Sequence, residues 1–375
     1  MVEKFHNKPF DEATMLKLDI FRECFREWLP VFVHNPKISK IFVYDFFAGP
    51  GQDCNGNHGS PLILLNEAKG ERKQYCNPSS KKAIIFGFND KNESESLKEN
   101  IQRYLSCCHK SECQKSECLF KLEENVFVRD LDFKDCFSSE ILKQKLACED
   151  FGKFVLLDQF GFSQVDETVF KELARSPSTD FIFFIASSFI ARFKDHPYTK
   201  KYIDTSKIDF DNAKPVDKHG LIADYFAQLI GNEQEFYLHH FTIRKGANYY
   251  GLIFGTGHTY GMEKFLKVCW AHDELAGESN DNKYGDYQKG TLFYDPENSN
   301  KIELVKRELR AKILSGDISD NISGLKFALK RRCLPKLFVH MAKELERQNL
   351  IKRVGKVNDQ ATKIHSVPRY QIVLA

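Results

Sequence analysis

Short apolar runs that stop, one after another, on acidic residues constrain this chain more than any other feature. Residues 41–44 end at Asp45, 83–88 at Asn89 and Asp90, 125–128 at Asp130 and Asp132, and 154–157 at Asp158. A fifth run, 180–186, ends at Ser187 and Ser188. The runs are continuous rather than alternating, and helical stretches separate them, which predicts a parallel sheet covered on both faces. Acidic side chains then recur at the carboxyl ends of four successive strands, the rim where open α/β sheets take ligands. Before the first strand, Met15, Leu16, Leu18, Ile20, Phe21, Phe25, Trp28 and Leu29 follow a helical period and predict a helix laid on one face. Residues 236–244 and 249–256 are separated only by Lys245, Gly246, Ala247 and Asn248, so this last pair forms an antiparallel hairpin. Parallel strands closed by such a hairpin, where a plain dinucleotide-binding fold would continue with another crossover, make the expected fold class an α/β variant of the Rossmann sheet.

Several classes are excluded by composition. No apolar run in the 375 residues approaches the roughly 18 to 20 needed to span a bilayer. The opening MVEKFHNKPFDEA has no apolar leader, and a cytoplasmic protein is expected. Eleven irregularly spaced cysteines do not make a disulfide framework in a chain of this size.

Charge is divided unevenly along the chain. Residues 301–375 carry 17 Lys and Arg against 7 Asp and Glu, whereas residues 1–300 carry 38 against 45. A basic end on an acidic body points to an anionic partner. Within that end, residues 301–314, 324–332 and 335–348 read as helices, and 351–355 and 369–374 as strands, which makes a winged helix-turn-helix. Two domains are expected, 1–298 and 299–375. The third helix would present Lys336, His340, Lys343 and Arg347 to a major groove. Lys330, Arg331, Arg332, Lys352, Arg353 and Lys356 would contact phosphates. Winged helices also dock proteins, and that use stays open. Within the first domain, residues 192–218 (with Phe193, His196, Pro197, Tyr198, Tyr202 and Phe210) form an insertion that reads as a substrate lid or as a connector.

The first rim loop carries the most chemistry. After residues 41–44, Asp45-Phe46-Phe47-Ala48-Gly49-Pro50-Gly51 turns tightly, and glycine lets a ligand approach the backbone. It is neither G-x-G-x-x-G nor a P-loop. An acid followed by small residues resembles the first motif of S-adenosylmethionine (SAM)-dependent methyltransferases. That resemblance implies SAM, with Asp45 at its amino-acid end and Phe47, Ala48, Gly49 and Gly51 lining the turn. It also implies Asp90 on both ribose hydroxyls, or Asn89 if the register shifts by one, and Asp130 or Asp132 near the adenine. At the fourth rim, Asp158-Gln159-Phe160-Gly161-Phe162 places a carboxylate that can accept from an amine and two aromatics that can stack on a flipped base.

Two further groupings carry less. Cys107, Cys108, His109, Cys113 and Cys118 lie close together, but the spacing is not a paired C-x-x-C and the stretch is very polar. A solvated loop of reduced cysteines is the better reading, and no metal is expected. No nucleophile–base pair is legible, since no histidine is placed beside Ser187 or Ser188.

Asp45 to Gly51, then Gly59-Ser60-Pro61-Leu62, Asp158-Gln159-Phe160-Gly161, Tyr249-Tyr250-Gly251-Leu252-Ile253-Phe254-Gly255-Thr256, Gly261-Met262 and Trp270 together resemble the three-Cys-motif partner proteins, over about residues 15–350. That family is methyltransferase-like with a C-terminal winged helix, and it pairs with a radical-SAM-like protein carrying three cysteines. The resemblance therefore implies SAM as ligand and such a protein as partner. The family usually has proline where this chain has Gln159. Two functions follow as expectations: in-line methyl transfer to a nucleic-acid or nucleotide acceptor, or a non-catalytic SAM-binding adaptor or regulator acting through its winged helix.

Overall fold

A computed structural model describes residues 8–69, 82–108, 120–231, 234–281, 300–360 and 362–375, with the side chains of 107 and 108 outside that description. Seven strands form one sheet: β1 (Lys40–Asp45), β2 (Ala83–Asn89), β3 (Val126–Arg129), β4 (Phe151–Leu157), β5 (Thr179–Ile185), β6 (Tyr237–Lys245) and β7 (Asn248–Thr256). Their order is β3-β2-β1-β4-β5-β7-β6. The first five are parallel, and β7 runs antiparallel to both β5 and β6. The expected hairpin is present, and its second strand slots inward beside β5, leaving β6 at the edge. This is the class I methyltransferase-type Rossmann sheet.

The chain leaves β1 toward β2 and β3, then returns to place β4 on the other side of β1. The carboxyl ends of β1 and β4 therefore flank the point where strand order reverses, which opens a crevice in sheets of this kind. Asp45 closes β1, and Asp158 directly follows the last residue of β4.

Period-two alternation divides the apolar side chains between two cores. Ile41 and Val43 of β1 join one core, and Phe42 and Tyr44 the other. The first core lies under α1 (Glu12–Val33), α2 (Ser60–Lys69), α3 (Ser94–Cys108) and α10 (Thr259–His272). Asp11 caps α1 by accepting from the Thr14 N–H, and Phe21, Phe25, Trp28 and Leu29 form its buried stripe. The second core lies under α4 (Phe133–Ser138), α5 (Glu140–Ala147), α6 (Glu167–Arg175), α7 (Ser187–Arg192) and α9 (Lys218–Gln228). Residues 192–218 are folded against this core rather than forming a bare connector. They contain α8 (Pro197–Lys200) and bury Ile203, Ile208 and Phe210.

The basic end consists of α11 (Lys301–Leu314), α12 (Asn321–Lys330), α13 (Lys336–Arg347) and an antiparallel ribbon of β8 (Ile351–Gly355) and β9 (Tyr370–Leu374). The three expected helices and the two expected strands are thus present. Its apolar residues, Leu309, Leu325, Phe338 and Leu345 among them, belong to the same core as α1 and α10. Lys301 is buried at the junction, paired with Glu278 at 2.8 Å and donating to the carbonyls of Ala276 and Arg332. The expected boundary at 298/299 falls in residues 282–299, outside the described ones. No helix among the described residues is long and apolar enough to cross a membrane.

Candidate functional site

Asp45 ends β1 with its side chain wholly buried. One carboxylate oxygen, Oδ1, accepts from the Phe47 N–H at 3.2 Å, and the nearby Ser60 hydroxyl favours the ionised form. The second oxygen, Oδ2, has no hydrogen-bond partner. Burial pushes the carboxyl up to about 7, and the nearby charges of Asp158 and Asp90 add to the shift. A buried acceptor left open is costly in an apolar interior, so this atom faces a place where a donor is expected.

The turn behind it depends on glycine. Gly49 and Gly51 have φ of 58° and 85°, in the left-handed region. A Cβ on Gly59 would meet the backbone of Gly51 at 3.1 Å, and the Gly59 N–H donates to the Gly51 carbonyl at 2.8 Å. The spacing between the two glycine motifs is thus a single closed loop. Asp53 stitches that loop by accepting from the N–H groups of Phe10, Asn55 and Asn57.

At the second rim Asn89 and Asp90 have different surroundings. Asn89 is buried and holds backbone on two neighbouring loops, donating to the Leu131 carbonyl at 3.0 Å and accepting from the Leu131 N–H at 3.1 Å. Asp90 stands on the rim and accepts from the Gly49 N–H at 2.9 Å and from the N–H groups of Asn92 and Glu93. Ala48 is buried, its N–H donating to the Asn89 carbonyl, while Phe47 is half-buried against the Phe133 ring at 5.0 Å. At the third rim Asp132 caps α4 through the Lys134 N–H and pairs with Lys91, whereas Asp130 is exposed. The cap gives Asp132 a structural task that Asp130 does not have.

Asp158 carries an ion pair. Lys17 Nζ lies 2.7 and 2.5 Å from its two oxygens and 4.9 Å from the centre of the Phe184 ring. Gln159, where the resembled family has proline, is buried and bonded at both ends. Its amide donates to the Phe184 carbonyl at 3.0 Å, and its oxygen accepts from the N–H groups of Gln164 and Val165. The two aromatics of this loop part ways. Phe160 is 84% exposed beside the crevice, while Phe162 is 3% exposed and packed against Phe189, Tyr198 and Tyr202. Phe162 therefore supports the insertion from below and has no face left for a base, which corrects the expectation that either ring could stack. Phe189, Phe193 and Tyr198, each at least 40% exposed, continue the aromatic surface outward from it.

A serine–histidine pair exists that the sequence did not show. Ser187 Oγ lies 2.6 Å from His219 Nδ1, and His219 Nε2 lies 3.0 Å from the Leu252 carbonyl. A carbonyl only accepts, so Nε2 carries the proton and Nδ1 accepts from the serine. Burial brings His219 down to about 4, and both side chains are inaccessible. The pair ties α7, α9 and β7 together and offers no nucleophile.

In the basic end, the expected phosphate contacts divide in the same way. Arg353 is sequestered between Glu346 and Asp359 with 8% of its side chain exposed, and Arg332 pairs with Asp224 of α9. These two hold the structure together, which corrects their assignment to phosphate. Arg331 pairs with Glu308 and Lys343 with Asp359. Lys330, Lys336, Arg347 and Lys352 are exposed and have no ion pair among the described residues. The cysteine cluster at 107–118 lies outside the described residues, and no group of metal-ligating side chains occurs among the described ones.

A cavity of about 370 Å³ opens at the far end of the sheet, between the start of β5 and α1, and is lined by Trp28, Phe32, Asp180, Glu235 and His258. Its buried acid is already satisfied: Asp180 accepts from Trp28 Nε1 at 2.7 Å and from the Thr256 hydroxyl. The crevice at β1 and β4 is the stronger candidate because its acid is not. Sequence reasoning missed Lys17, Asp53 and the tasks of Gln159. Lys17 sits inside an apolar helical stripe, where a charge two residues from Met15 was the one available signal.

No family model matches the chain, and no curated protein sequence matches it. Solved structures of similar fold include Trm1 from Pyrococcus horikoshii in complex with S-adenosyl-L-methionine, at 12% identity and TM-score 0.37, covering 70% of this chain. The chain spans 59% of that protein's length. A putative O-methyltransferase from Klebsiella pneumoniae is 10% identical, with TM-score 0.31 over 66% of this chain and 90% of its own. An O-methyltransferase from Bacillus cereus in complex with SAH is 13% identical, with TM-score 0.31 over 66% and 91%.

Proposed function

We propose that the chain binds SAM at the crevice between β1 and β4 and transfers its methyl group to an amine of a nucleic-acid base. One observation carries the reading: a fully buried carboxylate with an open oxygen, Asp45 Oδ2, behind a glycine turn at the strand-order switch. A ligand ammonium would fill that oxygen, and it would keep the carboxylate ionised in a place where burial otherwise neutralises it. Asp90, already turned toward the Gly49 N–H, is the acid for the ribose hydroxyls, and exposed Asp130 lies on the side of the adenine.

SAM supplies an electrophilic methyl group. The acceptor nitrogen forms the new bond as the carbon–sulfur bond breaks, and sulfur keeps the electron pair. Asp158 would hold the amine in line and take up its proton, a contribution made largely by positioning. Phe160 would stack on the base. The face of α13 bearing Lys336, His340 and Arg347, with Lys330 and Lys352 nearby, would grip phosphates. The family resemblance adds a radical-SAM-like partner with three cysteines.

The rival reading is a SAM-binding adaptor that does no chemistry. The ion pair of Lys17 on Asp158 favours it, because it occupies the group that would meet the acceptor. Calorimetry with SAM and S-adenosylhomocysteine tests the binding claim, with Asp45→Ala as the control. Micromolar affinity lost in that variant supports the site, and no affinity in a folded sample removes it. Transfer of a labelled methyl group to RNA or DNA then separates enzyme from adaptor.

A further inference from the structure

Lys17 stands in the first turns of α1, a helix whose start is fixed to the rim from two sides. The Phe10 N–H donates to Asp53 at 2.9 Å, and Asp11 pairs with Lys245 at the end of β6 at 2.5 Å. From there Nζ reaches both oxygens of Asp158. The two side chains are only 15% and 16% exposed, so neither charge is left to water. Removing one partner of such a pair strands the other, and an acceptor amine cannot displace Lys17 without replacing its charge.

A lysine ammonium is a compact charge on a flexible stem, with three donors that serve any anion equally. A ligand whose own ammonium lies on Asp45 carries its carboxylate one carbon away. That carboxylate would arrive beside a lysine that already ends next to Asp158, since Asp45 is paired with Leu156 on the adjacent parallel strand, two residues before Asp158.

We propose that Lys17 is a displaceable counter-ion that holds Asp158 closed until the carboxylate of an amino-acid ligand draws it away. Asp158 then opens to an acceptor only on the loaded protein, which makes binding ordered. The inference rests on the SAM reading, and it adds a competition between Asp158 and the ligand for one cation.

Calorimetry on the full chain tests it with two probes, S-adenosylhomocysteine and 5′-methylthioadenosine, the second lacking the amino-acid carboxylate. Lys17→Met should weaken S-adenosylhomocysteine by roughly 10- to 100-fold, the effect of one charge-assisted contact, and leave methylthioadenosine unchanged. Lys17→Arg should restore most of the affinity. Asp158→Asn should tighten S-adenosylhomocysteine by about three- to tenfold, because the cation no longer has to leave a partner, and should do nothing in the Lys17→Met background. Equal weakening of both probes by Lys17→Met makes Lys17 a structural strut and overturns the proposal, as does an Asp158→Asn variant that binds no more tightly. A wild-type chain that binds neither probe removes the cofactor reading itself. Thermal unfolding of each variant guards against reading a folding defect as lost binding.

Discussion

Asp45 and Asp180 are two buried carboxylates at opposite ends of the same sheet, and they differ in one respect. Both are shifted upward by burial, Asp45 to about 7 and Asp180 to about 6. Asp180 is closed, with Trp28 and Thr256 donating to it. Asp45 keeps an oxygen with no donor. Burial alone therefore does not mark a site, since it marks both. Between these two acids the unfilled hydrogen bond separates a strut from a socket, and a cavity beside the strut does not change that.

The contrast breaks first at Asp45→Ala. SAM affinity should fall at least about 100-fold, the scale of losing a buried charged contact. Asp180→Ala should leave affinity unchanged, and calorimetry on both variants checks the pair. Stability should respond in the opposite sense. An acid whose folded pKa lies above its unfolded value of about 3.9 binds more protons folded than unfolded between those two values, so stability falls as pH rises through that window. For Asp45 the window runs from about 4 to about 7, and for Asp180 from about 4 to about 6. Asp45→Asn should therefore stabilise the ligand-free chain at pH 8, by up to about 4 kcal/mol, and change little at pH 4, as read by denaturant titration. Asp180→Ala should destabilise by roughly 1 to 3 kcal/mol, because it orphans the Trp28 N–H.

Ligand binding sharpens the same comparison through pH. If the ammonium of the ligand is held by ionised Asp45, affinity should rise about tenfold per unit up to about pH 7 and flatten above it. The profile should survive Asp180→Ala and disappear in Asp45→Asn.

The strands and the rim were legible because they follow from periodicity. Continuous apolar runs, four ended by acids and the fifth by serines, marked five parallel strands, and a four-residue link marked the hairpin. The inward position of β7 was not legible, since pairing partners distant in sequence leave no local trace. Asp45, Asp90 and Asp158 could be singled out because each ends or follows a strand. Whether a carboxylate is open, capping a helix or covered by a cation depends on groups far away, as Lys17 shows at 141 residues from Asp158. The same limit hid the difference between Phe160 and Phe162, which stand two residues apart in a loop where no period decides the face. Gln159 looked like a defect against a family pattern, yet its three bonds hold the loop that proline would otherwise stiffen. Gln159→Ala should cost about 1 to 3 kcal/mol and loosen Phe160 without touching SAM affinity, as thermal unfolding and calorimetry would show.

The smallest effects belong to the basic end, where the strut-and-socket contrast repeats in cations. Arg353 is enclosed by Glu346 and Asp359, whereas Lys336 faces solvent with no ion pair among the described residues. Lys336→Glu should weaken a nucleic-acid fragment by roughly threefold to tenfold and lower the salt slope by about one contact, with SAM affinity unchanged. Lys343→Glu should do less, because that ammonium is already shared with Asp359 at 3.3 Å. Arg353→Gln should act on stability before binding, since it takes the cation from Glu346 and leaves Asp359 with Lys343 alone. Fluorescence anisotropy at two salt concentrations distinguishes these cases. If all three variants weakened binding equally, the pairing inside the domain would not decide which cations meet phosphate. If none did, the face of α13 would be a protein-docking surface, the use of a winged helix in which the open lysines meet an acidic partner chain instead.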